Sequence, residues 1–208
     1  MPGVERIFSD PKIFKLIQNK LPMLFQIANL ESSRDKKIGM EVGTLRERII
    51  IAFLIHVFGR KNVLVDTPIT APEIDVKLFN NPISIKTVTG AGGVKLIWTV
   101  DATKANEFLS KYRPSCDIML TQIFWGKRMG GLFYIPLSAQ DQTFRRMGAS
   151  DYLMLPKQGT NPRGVELSKG ALSALLTHPG TMRVEIDWKE VKELDYDVYE
   201  RWLEYWKE

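Results

Sequence analysis

The 208-residue sequence has one cysteine, two histidines and no long apolar run. Cys116 alone cannot form an internal disulfide, and the sequence has no cysteine–histidine cluster typical of a zinc site. The longest apolar run, residues 49–58, is only half of the ~20 residues that a membrane-spanning helix needs. The first residues lack the basic flank and apolar stretch of a secretory signal. We therefore expect a cytoplasmic protein without membrane contact.

Acidic residues are scarce except near the C-terminus. The chain has 29 basic and 24 acidic residues, a formal net charge of +5 at pH 7. Residues 183–208 hold five basic and nine acidic residues, so the preceding 182 residues hold 24 basic and 15 acidic ones. A basic body with an acidic tail favours a polyanionic partner such as DNA.

The order of elements predicts a mixed α/β (α+β) fold, with a central mixed sheet flanked by helices and preceded by an N-terminal helical segment. Length and composition predict a single domain over residues 1–208. Asp10-Pro11 is typical of a helix start, and Pro22 predicts the end of that helix before a second one begins at Met23. Thr44 is expected to begin a long helix that ends near residue 58.

That long helix is apolar nearly all round after Arg48, which predicts that it is buried against a sheet. A terminal helix is expected from Glu190. It would place an apolar stripe (Val191, Leu194, Val198 and Trp202) against its own domain or, alternatively, against a second copy of the chain.

Residues 73–87, EIDVKLFNNPISIKT, alternate apolar and polar residues around a turn, a pattern typical of a β-hairpin. A two-residue turn at Asn80-Asn81 and a four-residue loop reaching Pro82 both predict the same register. In that register Asp75 lies directly opposite Lys86, with Cβ atoms about 5 Å apart. A slip of one residue would place apolar against polar side chains, which a half-buried sheet does not tolerate.

An Asp75–Lys86 pair has two interpretations. One is a surface ion pair on an ordinary two-faced hairpin. The other is a metal-dependent phosphodiesterase site, which needs a second carboxylate. Glu47 is the best candidate, although Thr44-x-x-Glu47 also fits a helix-capping box. The rival carboxylates are Glu41, Glu73, Asp101 and Glu107.

A helix with Glu47 near its start, then Asp75, then Ser84-Ile85-Lys86 on the next strand, resembles the PD-(D/E)xK nuclease superfamily. The segments GMEVGTLRERIII and PEIDVKLFNNPISIKT narrow the resemblance to the ThaI family of type II restriction endonucleases. The resemblance implies that Glu47, Asp75 and the backbone carbonyl of Ile85 bind Mg²⁺, and that Lys86 acts near the attacking water. Ser84 stands where the superfamily usually has an acidic residue, so this assignment depends on Glu47.

The same resemblance implies Mg²⁺-dependent double-strand cuts in double-stranded DNA at CGCG, with blunt ends, by a homodimer. Two alternatives remain open at this point: a structure-selective DNA nuclease of the resolvase or repair type, and a non-catalytic DNA-binding protein. A plasmid cleavage assay separates the three. The strand VEIDWK, with Asp187 and Lys189, is a competing location for the site, although its acidic surroundings would repel a phosphodiester.

Four residues are predicted to contact DNA. Lys37 and Met40 precede the helix that carries Glu47, and Met40 is the candidate for insertion between base pairs, as an alternative to ordinary core packing. Arg128 and Arg163 lie in basic, glycine-containing loops and are candidates for guanine or phosphate contacts.

Overall fold

The structure is a computed structural model, which describes residues 3–34, 37–38, 41–65, 73–97, 105–126, 128–156 and 164–206. The α-helices in these ranges are α1 (Pro11–Glu31), α2 (Val42–Phe58), α3 (Ala105–Lys111), α4 (Leu137–Met147), α5 (Ala149–Tyr152), α6 (Lys169–Leu176) and α7 (Glu200–Glu204). The strands are β1 (Ser33–Arg34), β2 (Lys37–Ile38), β3 (Val63–Leu64), β4 (Val76–Leu78), β5 (Asn81–Thr89), β6 (Val94–Ile97), β7 (Asp117–Ile123), β8 (Gly130–Ile135), β9 (Leu153–Met154), β10 (Val165–Leu167) and β11 (Met182–Ile186). Short 3₁₀ helices span Val4–Phe8 and Arg60–Asn62.

A six-stranded sheet forms the centre of the fold, in the order β11-β8-β7-β5-β4-β3. Strands β5 and β7 are parallel, whereas every other neighbouring pair in this sheet is antiparallel. A smaller sheet has the order β6-β10-β9, and β1 pairs with β2. The predicted mixed α/β fold, with a mixed central sheet flanked by helices and an N-terminal helical segment, is therefore confirmed.

Apolar cores cover both faces of the central sheet. Met119 and Ile123 of β7 pack into the core that contains α1 and α2. Ile118 and Leu120 of the same strand pack into the core that contains α4, α5 and α6. Successive side chains of a strand point to opposite faces, so a strand covered on both sides reads as a nearly continuous apolar run. In the segment DIMLTQI four of the seven residues are apolar, and every residue except Gln122 is buried.

Helix α1 continues through Pro22, so the predicted break at this residue is wrong. Asp10 caps the start of the helix as expected, because its side chain accepts a hydrogen bond from the Lys12 backbone N–H at 2.9 Å. A proline inside a helix removes one backbone hydrogen bond. Leu21, Pro22 and Phe25 are all buried, and the burial of this turn offsets that loss.

Helix α2 begins at Val42, two residues earlier than predicted, and no side chain caps its start. The capping-box interpretation of Thr44 and Glu47 is therefore wrong, because Thr44 already lies inside the helix. The expected burial all round is also wrong. Only Arg46, Ile50 and Leu54 are buried, whereas residues 52 and 56 are exposed.

The predicted terminal helix from Glu190 is wrong, since α7 covers only Glu200–Glu204. The segment before it lies along the surface of α1. The Gln26 side chain donates to the Val191 carbonyl at 3.0 Å and accepts from the Val191 N–H at 2.8 Å. The Tyr196 hydroxyl donates to the Glu31 carboxylate. The Gln26 side chain thus satisfies both backbone groups of Val191.

Across the described ranges, no helix combines the length and apolar character needed to cross a membrane.

Candidate active site

The turn between β4 and β5 sets the geometry of the site. Its two central residues, Phe79 and Asn80, have φ values of 50° and 66°. Positive φ at both positions is characteristic of a two-residue type I′ hairpin turn. The Phe79 ring packs edge-on against Phe58, with ring centroids 5.5 Å apart, which holds Phe79 in the turn.

The predicted register of the hairpin is wrong by two residues, because the turn lies one residue earlier than Asn80-Asn81. Val76 pairs with Ile83 and Lys77 pairs with Pro82. A slip of two residues keeps each side chain on its predicted face, whereas a slip of one would reverse all of them. The division of the hairpin into an apolar and a polar face therefore survives the error.

Asp75 and Lys86 meet despite the changed register. Asp75 directly precedes β4, and its Oδ2 accepts hydrogen bonds from the Ile85 backbone N–H at 2.6 Å and from the Ser84 hydroxyl at 3.3 Å. The Nζ of Lys86 lies 3.6 Å from the same oxygen. An amide, a hydroxyl and an ammonium group thus all contact this one carboxylate oxygen.

The burial of this pair argues against an ordinary surface ion pair. The side chains of Lys86 and Asp75 are only 15% and 18% exposed. Surface ion pairs between mobile, solvated side chains contribute little to stability. Here the backbone of Ile85 fixes the carboxylate, and both charges are largely removed from water. Such an arrangement is typical of functional sites, where fixed charges are kept close together.

Glu47 joins the pair from α2. Glu47 and Asp75 line one open cleft of about 440 Å³, together with Arg48 and Arg60. Burial raises the pKa of Glu47, and the negative charge of Asp75 raises it further, while Lys86 and Arg48 act in the opposite direction. The three residues predicted as catalytic therefore lie within one another's electrostatic influence.

The backbone carbonyl of Ile85 points from β5 towards β4, which is also the side on which the Asp75 carboxylate lies. Ile83 and Ile85 direct their backbone groups towards β4, because the Ile83 carbonyl accepts from the Asp75 N–H at 3.1 Å and the Ile85 N–H donates to the Asp75 side chain. The N–H and C=O of one strand residue point the same way. Since β4 begins at Val76, opposite Ile83, no residue of β4 stands opposite the Ile85 carbonyl.

These donors suit a hard divalent cation. Two carboxylates and a backbone carbonyl offer oxygen atoms, and Mg²⁺ commonly takes only one or two carboxylates while keeping several waters. Within the described parts of the chain, no three His, Cys, Asp or Glu side chains are grouped to hold a metal ion. The residues present thus fit a partly hydrated Mg²⁺, and they do not fit a closed site made of protein side chains alone.

Glu73 carries a further half-buried carboxylate beside this site. Its Oε2 accepts a hydrogen bond from the Ser115 hydroxyl at 2.5 Å, and its Oε1 is buried without a hydrogen-bond partner among the described residues. Burial raises the pKa of Glu73, against the effects of Ser115 and Lys86. The side chain lines a small cavity with Ser84 and Tyr112 rather than the cleft. Ser115 is 42 residues away in sequence, so no local pattern could reveal this contact.

Of the other rival carboxylates, Glu41 and Glu107 do not join the site. Glu41 is exposed just before α2, Glu107 pairs with Lys111 on α3, and Asp101 lies outside the described residues. Asp187 forms an exposed ion pair with Lys189, Oδ2 to Nζ 2.5 Å, just after β11. Strand β11 is at the opposite edge of the central sheet from β3 and β4.

Of the four residues predicted to contact DNA, Lys37 and Arg128 belong to the described parts of the chain. Arg128 is exposed in the loop between β7 and β8, with its guanidinium carbon 3.9 Å from the centroid of the Phe124 ring. Lys37 belongs to β2. Met40 and Arg163 lie outside the described residues.

Comparison with known proteins identifies the family. A comparison with curated protein sequences found no significant match. The structure is similar to that of a restriction endonuclease solved in complex with substrate DNA, with a TM-score of 0.89, 52% sequence identity and 97% of each chain covered. The sequence profile of the family described as "Restriction endonuclease ThaI" matches residues 7–208. The chain therefore belongs to the ThaI family of restriction endonucleases, which are site-specific DNA nucleases.

Proposed function

We propose that this protein is a type II restriction endonuclease that makes Mg²⁺-dependent double-strand cuts at CGCG, leaves blunt ends and acts as a homodimer. The observation that carries the proposal is that Glu47 and Asp75 line one cleft, while the Nζ of Lys86 lies 3.6 Å from the Asp75 carboxylate. Family membership supports cleavage of DNA, and the similar structure bound to substrate DNA supports DNA as the partner. The sequence CGCG and the blunt ends rest on the resemblance to the ThaI family.

In this proposal, Asp75, Glu47 and the Ile85 carbonyl hold the metal ion. When bound, Mg²⁺ supplies Lewis-acid stabilisation of phosphate charge and lowers the pKa of a bound water. The hydrogen bonds from Ser84 and the Ile85 N–H hold the Asp75 carboxylate in one orientation, with its contacts on Oδ2. A fixed donor geometry is needed because a displaced ligand costs rate steeply.

Lys86 has two roles in the proposed reaction. Its ammonium group lies 3.6 Å from the Asp75 Oδ2, so it stands beside the proposed metal ligands. There it orients the attacking water by a hydrogen bond and offsets negative charge that develops on the phosphate. Ser84 is neutral at the position where the superfamily usually has an acidic residue, so Glu47 supplies the second carboxylate from α2.

For DNA recognition we propose contacts from Lys37, Met40, Arg128 and Arg163. Arg128 packs over Phe124, and this contact limits the freedom of its guanidinium group before DNA binds. A preorganised guanidinium loses less entropy when it pairs with guanine in the major groove. Met40 is proposed to enter a CG step, since pyrimidine–purine steps are readily deformed.

A plasmid assay tests the proposal. A plasmid with a single CGCG site is incubated with the protein and Mg²⁺, and the ends of the product are sequenced. We expect one linear product cut in the middle of CGCG, and no product in EDTA. Cleavage confined to branched DNA would instead support a structure-selective nuclease, and a mobility shift without cutting would support a non-catalytic DNA-binding protein.

A further inference from the structure

Helices α1 and α2 enclose an apolar groove of about 350 Å³ on the molecular surface. Leu16 and Leu24 of α1 and Ile49 and Phe53 of α2 form its walls. Exposed apolar concavities of this kind mark interaction sites more often than chance allows. The groove adjoins the active-site cleft through α2, because Ala52 lines both.

The C-terminal segment, residues 199–206, exposes large apolar side chains. Tyr199 is 68% exposed, Leu203 56%, Tyr205 84% and Trp206 85%. Single exposed apolar residues are common on protein surfaces, but four in eight consecutive residues form a patch. This segment therefore has the chemistry of a docking element.

The segment does not lead to the groove of its own chain. Val191 is fixed at Gln26 and Tyr196 is fixed at Glu31, so the chain follows α1 towards its C-terminal end. The groove lies against the earlier turns of the same helix, around Leu16 and Lys20. The segment thus moves away from its own groove as it approaches Tyr199.

Charge complementarity identifies the occupant of the groove. Lys12, Lys15 and Lys20 are exposed on α1, and Lys20 lines the groove itself. Residues 199–206 hold two acidic residues and one basic residue, a net charge of −1. An aromatic segment with a net negative charge matches an apolar groove that is lined by Lys20.

We infer that residues 199–206 of one copy dock in the α1–α2 groove of a second copy, and that the exchange is reciprocal. The inference rests on the proposed homodimer and names the surfaces that form it. A two-fold axis makes the contact self-complementary, so two grooves and two segments are covered together. Because α2 carries Glu47 and borders the groove, the contact brings each partner next to the other's cleft.

Cross-linking between two tagged forms of the full chain tests the contact. Cys116 is buried, so cysteines introduced at exposed positions react selectively. A chain with His56→Cys at the groove is mixed with a chain with Leu203→Cys, and a flexible bis-maleimide is added. We expect a cross-linked pair of differently tagged chains well above the yield obtained with Met154→Cys in place of Leu203→Cys. An equal yield from the Met154→Cys control overturns the inference, as does a cross-link within one chain in the double variant His56→Cys/Leu203→Cys.

Light scattering gives an independent readout. We expect the wild type to have about twice the 23.8 kDa mass of one chain, and Tyr205→Ala/Trp206→Ala to fall to the mass of one chain with an unchanged far-ultraviolet circular dichroism spectrum. Met154→Ala, another exposed apolar residue, is the matched control and should remain a dimer. A wild-type monomer, or a double variant that stays dimeric, overturns the inference. Cleavage at CGCG by a wild-type monomer rejects this contact and the proposed homodimer but leaves the proposed cleavage activity standing, whereas a dimer with this contact that cuts no DNA rejects the proposed cleavage activity alone.

Discussion

At the scale of single residues, the two carboxylate oxygens of Asp75 differ in their contacts, and this difference bears on the proposed metal binding. Its contacts with Ser84, Ile85 and Lys86 all fall on Oδ2. The other oxygen, Oδ1, takes part in none of these three contacts. A carboxylate held through one oxygen presents the other in a defined direction, which is what a metal ligand requires.

Glu47 gives a stability prediction with a defined sign. Burial and Asp75 raise the pKa of Glu47 in the folded protein, so the ionised form destabilises the fold above the pKa of an ordinary carboxyl group. In EDTA at pH 8, Glu47→Gln should therefore raise the melting temperature by about 1–2 °C. The gain should shrink as the pH falls through the raised pKa of Glu47 in the folded protein, and it should vanish below about 4.3, where the carboxyl group is protonated in the unfolded state as well. Scanning calorimetry at pH 8 and at a pH below about 4.3 measures this difference in melting temperature.

The exposed Glu41 is the control, and Glu41→Gln should leave the melting temperature unchanged. Adding Mg²⁺ should stabilise the wild type more than Glu47→Gln, since the ion binds the folded state. A lower melting temperature for Glu47→Gln in EDTA would contradict this account of the carboxylate.

Arg128 gives a prediction about specificity. Loss of a bidentate guanine contact costs about 1–3 kcal/mol, so Arg128→Ala should weaken binding to CGCG by roughly 5- to 150-fold while affecting non-specific DNA far less. Fluorescence anisotropy with Ca²⁺ in place of Mg²⁺ measures both affinities. Arg145→Ala on α4, also exposed, is the matched control and should leave the ratio of the two affinities unchanged. Equal losses on both DNAs would show that Arg128 does not read bases.

At the scale of elements, the β4–β5 turn controls where Asp75 meets β5. Asn80 has a φ of 66°, a conformation that asparagine and glycine adopt more readily than other residues. Asn80→Ala should lower the melting temperature by about 2–4 °C, whereas Asn80→Gly should not. Thermal unfolding followed by circular dichroism compares the variants, and similar melting of both would contradict the turn assignment.

The hairpin also shows what a sequence reveals and what it does not. Alternation with period two assigned Asp75 and Lys86 to the polar face correctly, because that assignment does not depend on a shift of two residues. The register was wrong because the position of the turn depends on Phe79 packing against Phe58, a contact that alternation does not encode. Similarly, Pro22 stays helical and residues 190–196 do not, because packing on α1 overrides local propensity.

The residues of the candidate site could be predicted from the sequence for a reason other than alternation. Asp75 and Lys86 lie close together in sequence, whereas Glu47 comes from another element; it was the best candidate for the second carboxylate, and the resemblance to a nuclease superfamily then implied its role as a metal ligand. The structure explains why the helix-capping alternative fails, because α2 begins before Thr44. The Ser115 contact of Glu73 involves distant residues with no motif of their own, so it required the fold.

At the scale of the whole molecule, the separation of a basic body from an acidic tail should control DNA binding. Arg48 is exposed and lines the cleft beside Glu47, so we expect it to contact a phosphate. In the inactive Lys86→Ala background, Arg48→Ala should reduce the slope of log affinity against log salt by about 0.9, the effect of one phosphate contact. Arg183→Ala on β11 should leave the slope unchanged, since Arg183 pairs with Glu185. Equal slopes for all three proteins would place the DNA away from this cleft.

The most direct test of the account is Mg²⁺-dependent plasmid cleavage by three single variants, Glu47→Ala, Asp75→Ala and Lys86→Ala, compared with the control Asp187→Ala/Glu190→Ala. We predict that each single variant cuts at least about 100-fold more slowly than the wild type, the smaller end of what one positioned acid–base group contributes. Their far-ultraviolet circular dichroism should match that of the wild type, and the control should cut at nearly the wild-type rate. Normal cutting by the three single variants together with an inactive control would contradict the account and place the active site at the end of β11.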